Sequence, residues 1–138
     1  NEQGNTVTAH RYDAKTGTLK IFQNISTLPP NYTEGGATAH VEVHPNGKWV
    51  YASNRGHDSI VGFNIDTDGT LRPFGHFSVP ASPRSFNIDP TGEYLYCAGE
   101  SANIMTSYRV DAATGELHAL QDYEVGKQPF WVMVTTLD

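Results

Sequence analysis

The sequence predicts an all-β fold of repeated four-stranded antiparallel blades, a partial arc of a β-propeller, and three observations carry that expectation. First, one passage occurs twice. HVEVHPNGKWVYASNRGHDSIVGFNIDTDGTLRPF (residues 40–74) is followed by SFNIDPTGEYLYCAGESANIMTSYRVDAATGELHAL (residues 85–120), with Pro45 matching Pro90, Gly47 Gly92, Tyr51 Tyr96, Ile60 Ile104 and Asp66 Asp111. A period near 45 residues is that of a propeller blade. Second, each unit divides into four short runs rich in Val, Ile, Tyr, Trp and Phe, the residues that suit a pleated, half-buried surface. Third, neither unit places its apolar residues at helical spacing.

The elements follow in chain order. Residues 1–24 read as a half blade: Asn1-Glu2 aligns with Asn54-Arg55 and Gly99-Glu100 at the end of a second strand, and Tyr12-Asp13 through Gly17-Thr18-Leu19 matches a third-to-fourth-strand turn. A spacer, ISTLPPNYTEGGATA at 25–39, holds two prolines and two glycines and is expected as a loop on one face of the ring. The blade at 38–80 has expected strands at Val41–His44, Trp49–Asn54, Ser59–Asp66 and Leu71–Val79. Its turns HPNGK and IDTDGTL supply proline's fixed φ and glycine's positive φ. The blade at 83–125 repeats the scheme with DPTGE and VDAATGEL, and Gln128–Val134 (QPFWVMV) is expected as an extra inner or closing strand at 128–134. Such an open arc leaves faces and strand edges that need covering. The expectation is that the remaining blades, or a second copy of the chain placed head to tail, complete the ring, and that the isolated chain is not a compact monomer.

Composition narrows the function classes. Apolar residues make up 38% and charged residues 17%, as in a globular protein. No apolar run approaches the roughly 20 residues of a membrane helix, and the polar opening NEQGNTVT lacks the basic flank of a signal peptide. The net charge is −6 and no two of the nine basic residues adjoin, which argues against a nucleic-acid surface. Cys97 is the only cysteine, which excludes an internal disulfide and suits a reducing, cytoplasmic setting. The sequons at Asn24 and Asn31 are short enough to arise by chance.

The stretches VEVHPNGKWVYASNRGHDSIVGFNID, SPRSFNIDPTGEYLYCAGE and QPFWVMV, with NEQGNTV and STLPPNYTE in the same order, resemble the 6-phosphogluconolactonase family of seven-bladed propellers. The resemblance covers essentially the whole chain but only the C-terminal two-fifths or so of a typical member. It implies hydrolysis of 6-phosphogluconolactone to 6-phosphogluconate in the pentose phosphate pathway, with no cofactor. The same family includes 3-carboxymuconate lactonising enzymes, an alternative activity. A non-catalytic propeller fragment or binding module is a second alternative, since fold does not fix function.

The resemblance also nominates site residues. Arg55, ending YASNR, matches the family's arginine at the mouth of the ring, and a planar guanidinium suits an anionic substrate. Glu2, in NEQ, matches a family glutamate and is expected to act catalytically with Arg55 by orienting or deprotonating water. Glu100 holds the equivalent place one blade on, where many members carry amides. Arg84, six residues before Pro90, stands where members place His or Arg at the start of an innermost strand, although the equivalent residue before Pro45 is Ala39. His57, two residues beyond Arg55, is expected to border the substrate site. The pattern HVEVH puts His40, Glu42 and His44 on one strand face and raises a metal site, but family members do not use these positions as ligands and the spacing is not the helical HExxH. His57, Asp58 and Ser59 are too close in sequence for a catalytic triad. Trp49, Tyr51, Phe63, Tyr94, Tyr96, Phe130 and Trp131 recur at repeat positions and are expected in blade packing.

Overall fold

The computed structural model describes residues 1–136. Ten strands form three antiparallel sheets. A two-stranded sheet pairs β1 (Thr6–Asp13) with β2 (Thr18–Ser26). The first full blade runs β3 (Ala37–Val43), β4 (Trp49–Arg55), β5 (Ser59–Ile65), β6 (Leu71–Ser78), and the second β7 (Pro83–Ile88), β8 (Tyr94–Gly99), β9 (Ile104–Val110), β10 (Leu117–Glu124). In each, sequence order is spatial order, so every connection is a reversal between neighbours. All-β is correct, and the expected turns are present: Gly47 and Gly92 each donate to the carbonyl three residues back with φ near 72° and 78°.

The blades hold one another by burying both faces of their middle strands. Along β4, Trp49 and Tyr51 face the second blade and pack with Phe86, Ile88, Leu95, Cys97 and Tyr108. Val50 and Ala52 face the other way, joining Val61, Phe63 and Leu71 against Val7 and Ile25 of the half blade. This is the period-2 alternation of a strand with a core on each side. The expectation that all seven repeat aromatics lie in blade packing needs correction: Tyr94 is 37% exposed, and Phe130 and Trp131 are 64% and 66% exposed.

Polar side chains of each innermost strand also reach the next blade. Glu42 of β3 accepts from the Ile88 amide of β7 at 3.3 Å and from Asn87 Nδ2 at 2.9 Å. One blade on, Asn87 Oδ1 accepts from the Val134 amide at 2.6 Å and Ser85 Oγ from the Val132 amide at 3.0 Å. The segment 128–134 therefore lies beside β7 as β7 lies beside β3. The expected strand there is not formed, because a ladder needs a second strand of its own blade and none pairs with it among the described residues.

Candidate functional site

A cleft of about 540 Å³ opens on the inner side of the arc, lined by the ends of the half blade, the starts of β3 and β7, and the 130–131 segment. Arg55, Arg84, Glu2 and His40 all border it. Two β-bulges explain how β3 and β7 aim side chains there. In β3 the pairing jumps from Thr38↔Asn54 to Val41↔Ala52, so Ala39 and His40 together oppose Ser53 alone. In β7 it jumps from Pro83↔Gly99 to Ser85↔Ala98, leaving Arg84 outside the ladder. A bulge frees a residue from the pleat and redirects its side chain. Ala39, Arg84 and Phe130 hold equivalent positions in three successive units, and all three line the cleft.

Arg55 and Arg84 each carry a carboxylate. Arg55 Nη2 donates to Glu2 Oε1 at 2.5 Å, and Arg84 Nη1 donates to Glu100 Oε2 at 3.1 Å. Arg55 is the more enclosed, its side chain 18% exposed, and its Nε is buried without a partner among the described residues. The Arg55 hydrogen bond and charge, with a smaller contribution from Arg84, hold the Glu2 carboxyl below the usual carboxylate range. The pair ties the Glu2 side chain to the Arg55 guanidinium. Its backbone is fixed too, since the Thr38 amide donates to the Glu2 carbonyl at 3.2 Å.

The backbone around Arg55 leaves no room for side chains. A Cβ on Gly36 would lie 2.9 Å from the Arg55 carbonyl oxygen, and one on Gly56, at φ +91°, 2.8 Å from the Gly35 carbonyl oxygen. The Gly-Gly pair of the spacer thus crosses directly over the Arg55–Gly56 turn. Gly56→Ala should destabilise by about 2 kcal/mol or more through strain at positive φ and this contact, read as a lowered denaturation midpoint.

The other residues singled out in the sequence sort as follows. His57 does not border the cleft. Its Nδ1 pairs with Ser59 Oγ at 2.7 Å and its ring stands edge-on to Tyr32, with centroids 4.6 Å apart. That His57–Ser59 bond exists despite the short spacing, yet Asp58 is turned away to the amides of Gly56 and Ser82, and Ser59 is buried. His44 does not converge with His40: its Nδ1 accepts from the Asn46 amide at 3.2 Å, leaving Nε2 to donate to the Gly92 carbonyl at 2.8 Å. Cys97 is buried, which pushes its thiol up to about 12 and removes it as a nucleophile. Among the described residues no helix is long and apolar enough to cross a membrane. Phe130 and Trp131 were missed as cleft residues, although Phe130 stands at the repeat position of Arg84, which the alignment of SPRSF with QPFWV makes visible.

A propeller arc places two arginines, each paired with a carboxylate, on one cleft. The chain belongs to the family described as "Lactonase, 7-bladed beta-propeller", which matches residues 1–134. It is 36% identical over its whole length to a 6-phosphogluconolactonase of Pectobacterium atrosepticum, of which it spans 42%. Its fold superposes with a TM-score of 0.85 on a putative 6-phosphogluconolactonase from Bacteroides fragilis, 34% identical, covering 95% of this chain and 36% of that one. A periplasmic gluconolactonase of Pseudomonas aeruginosa gives the same TM-score at 25% identity, over 91% of this chain and 36% of its own.

Proposed function

We propose that this chain supplies the substrate-anion side of a sugar-lactone hydrolase acting on 6-phosphogluconolactone, within a ring completed by further blades. The observation that carries the reading is the placement of Arg55 and Arg84 on one cleft, each with a carboxylate that fixes its direction. Guanidinium forks bind phosphate or carboxylate in a defined orientation. In this arrangement Arg55 and Arg84 hold the phosphoryl end of the substrate, while Glu2 and Glu100 keep the two forks in place. Water then adds to the lactone carbonyl and the ring oxygen leaves as a hydroxyl, giving a hydroxy acid. The product would feed the pentose phosphate pathway in the cytoplasm.

The test is hydrolysis by the ring-complete protein carrying these residues, followed by acid release above the spontaneous opening. The phosphorylated lactone should be preferred over gluconolactone. Arg84→Gln should raise KM for the phosphorylated lactone about tenfold, the loss of one charged hydrogen bond, and leave the unphosphorylated lactone nearly unaffected. No acceleration above the spontaneous rate would sink the reading.

A further inference from the structure

Hydrolysis of a lactone needs a group that takes a proton from the attacking water, and Glu2, tied to Arg55, is poorly suited to it. We propose that His40, oriented by Glu42, is the general base of this cleft; this rests on the lactonase reading. His40 lines the same cleft as Arg55 and Arg84. Its position is fixed from several sides. The bulge lifts it from the β3 ladder, and its amide donates instead to Ser53 Oγ at 3.1 Å. Its ring packs edge-on against Phe86, with centroids 4.8 Å apart, and against Trp131 at 6.1 Å. Its Nε2 lies 3.7 Å from Glu42 Oε2. Glu42 is itself held by the Ile88 amide and Asn87 Nδ2 of the next blade. At 3.7 Å the carboxylate is an ion-pair neighbour, one step short of the hydrogen bond by which a carboxylate orients a general base, and in the proposed reaction the two close to that bond as the imidazolium forms. No hydrogen bond engages Nδ1 among the described residues, so that nitrogen is free to accept.

The step balances as follows. Nδ1 takes a proton from water as the water oxygen bonds to the lactone carbonyl carbon, giving a tetrahedral oxyanion and a Glu42-paired imidazolium. The bond from that carbon to the ring oxygen then breaks. The ring oxygen takes the proton back from His40 and becomes the hydroxyl, and the new carboxylic acid loses its proton to solvent. Water is the co-reactant, and no change of oxidation state occurs. The charged and titratable groups around the imidazole are Glu42 on its own strand, Arg84 of β7, Arg55 of β4, and Glu2 and His10 of the half blade.

The test uses the ring-complete protein and the phosphorylated lactone. His40→Gln should lower kcat about 100-fold, the lower end of what a positioned acid or base contributes, with KM changed less than about threefold and the acid limb of the kcat–pH profile flattened. His40→Ala should recover part of its activity with added imidazole. Glu42→Gln should lower kcat and leave KM nearly unaltered. Wild-type kcat in His40→Gln, with the wild type active, overturns the role of His40 and leaves the lactonase reading standing. A fall in kcat that keeps the acid limb and shows no imidazole rescue overturns it equally, since that is the behaviour of a packing residue. A wild type that does not accelerate lactone opening overturns both.

Discussion

Arg55→Ala is expected to lower kcat/KM for the phosphorylated lactone by about 10³-fold in the ring-complete protein. The guanidinium is the more enclosed cation of the cleft, and its only polar partner among the described side chains is Glu2 at 2.5 Å. Truncation removes two or more charge-assisted donors, each contributing about 1.5–3 kcal/mol, which at about 1.4 kcal/mol per tenfold gives the stated loss. It also leaves the Glu2 carboxylate unopposed beside an incoming anion, so repulsion adds to the missing attraction. Arg55→Lys should recover little, because an ammonium offers a point charge where the site is shaped for a fork. The thermal midpoint should move little, since an ion pair with a largely exposed carboxylate contributes little to stability. Unchanged kcat/KM in Arg55→Ala would remove this residue from substrate contact.

The blade boundaries are legible in the sequence because turn chemistry is local. Gly47 and Gly92 sit at positive φ in one pair of equivalent turns and Gly69 and Gly115 in another, and the apolar runs between such turns have strand length. Arg55, Glu2 and Glu100 are legible for a related reason: they hold one repeat position, so a role at one implies the place of the others. His40 as a cleft residue is not legible. Period-2 alternation puts it on the same face as His44, and both imidazoles do face the second blade, His40 against Phe86 and His44 at the Gly92 carbonyl. What HVEVH does not mark is the cleft beside His40, which residues distant in sequence complete, among them Glu2, Arg84 and Trp131. His57, two residues from Arg55 along the chain, lies past the Gly56 turn, where it pairs with Ser59 and stands edge-on to Tyr32. Gln128–Val134 has a strand's composition, yet hydrogen bonds from neighbouring chain, not composition, make a ladder.

Tyr51 carries the largest expected effect on stability, because it belongs to two blades at once. Its ring is fully buried in the interblade core beside Phe74 and His44, and its hydroxyl donates to the Gly115 carbonyl of the β9–β10 turn at 2.6 Å. Tyr51→Ala removes the ring and opens a cavity between the blades, a change that costs about 4 kcal/mol for a buried aromatic. Tyr51→Phe keeps the ring but leaves a buried carbonyl unpaired, at a cost of about 1–2 kcal/mol. The pair of variants separates packing from hydrogen bonding. A pH series adds an independent check. Burial pushes the Tyr51 phenol well above the ordinary tyrosine range, so the folded state holds its proton where the unfolded chain would release it. The contribution is therefore fully present below the ordinary range, near pH 10, and is lost as pH rises beyond it. Tyr108, raised chiefly by burial as well, acts in the same direction, so Tyr51→Phe should make the alkaline loss shallower without abolishing it. Denaturant midpoints of wild type and Tyr51→Phe between about pH 8 and 11 decide the matter: a constant gap across that range would mean that the phenol is not shielded as its burial between the blades requires.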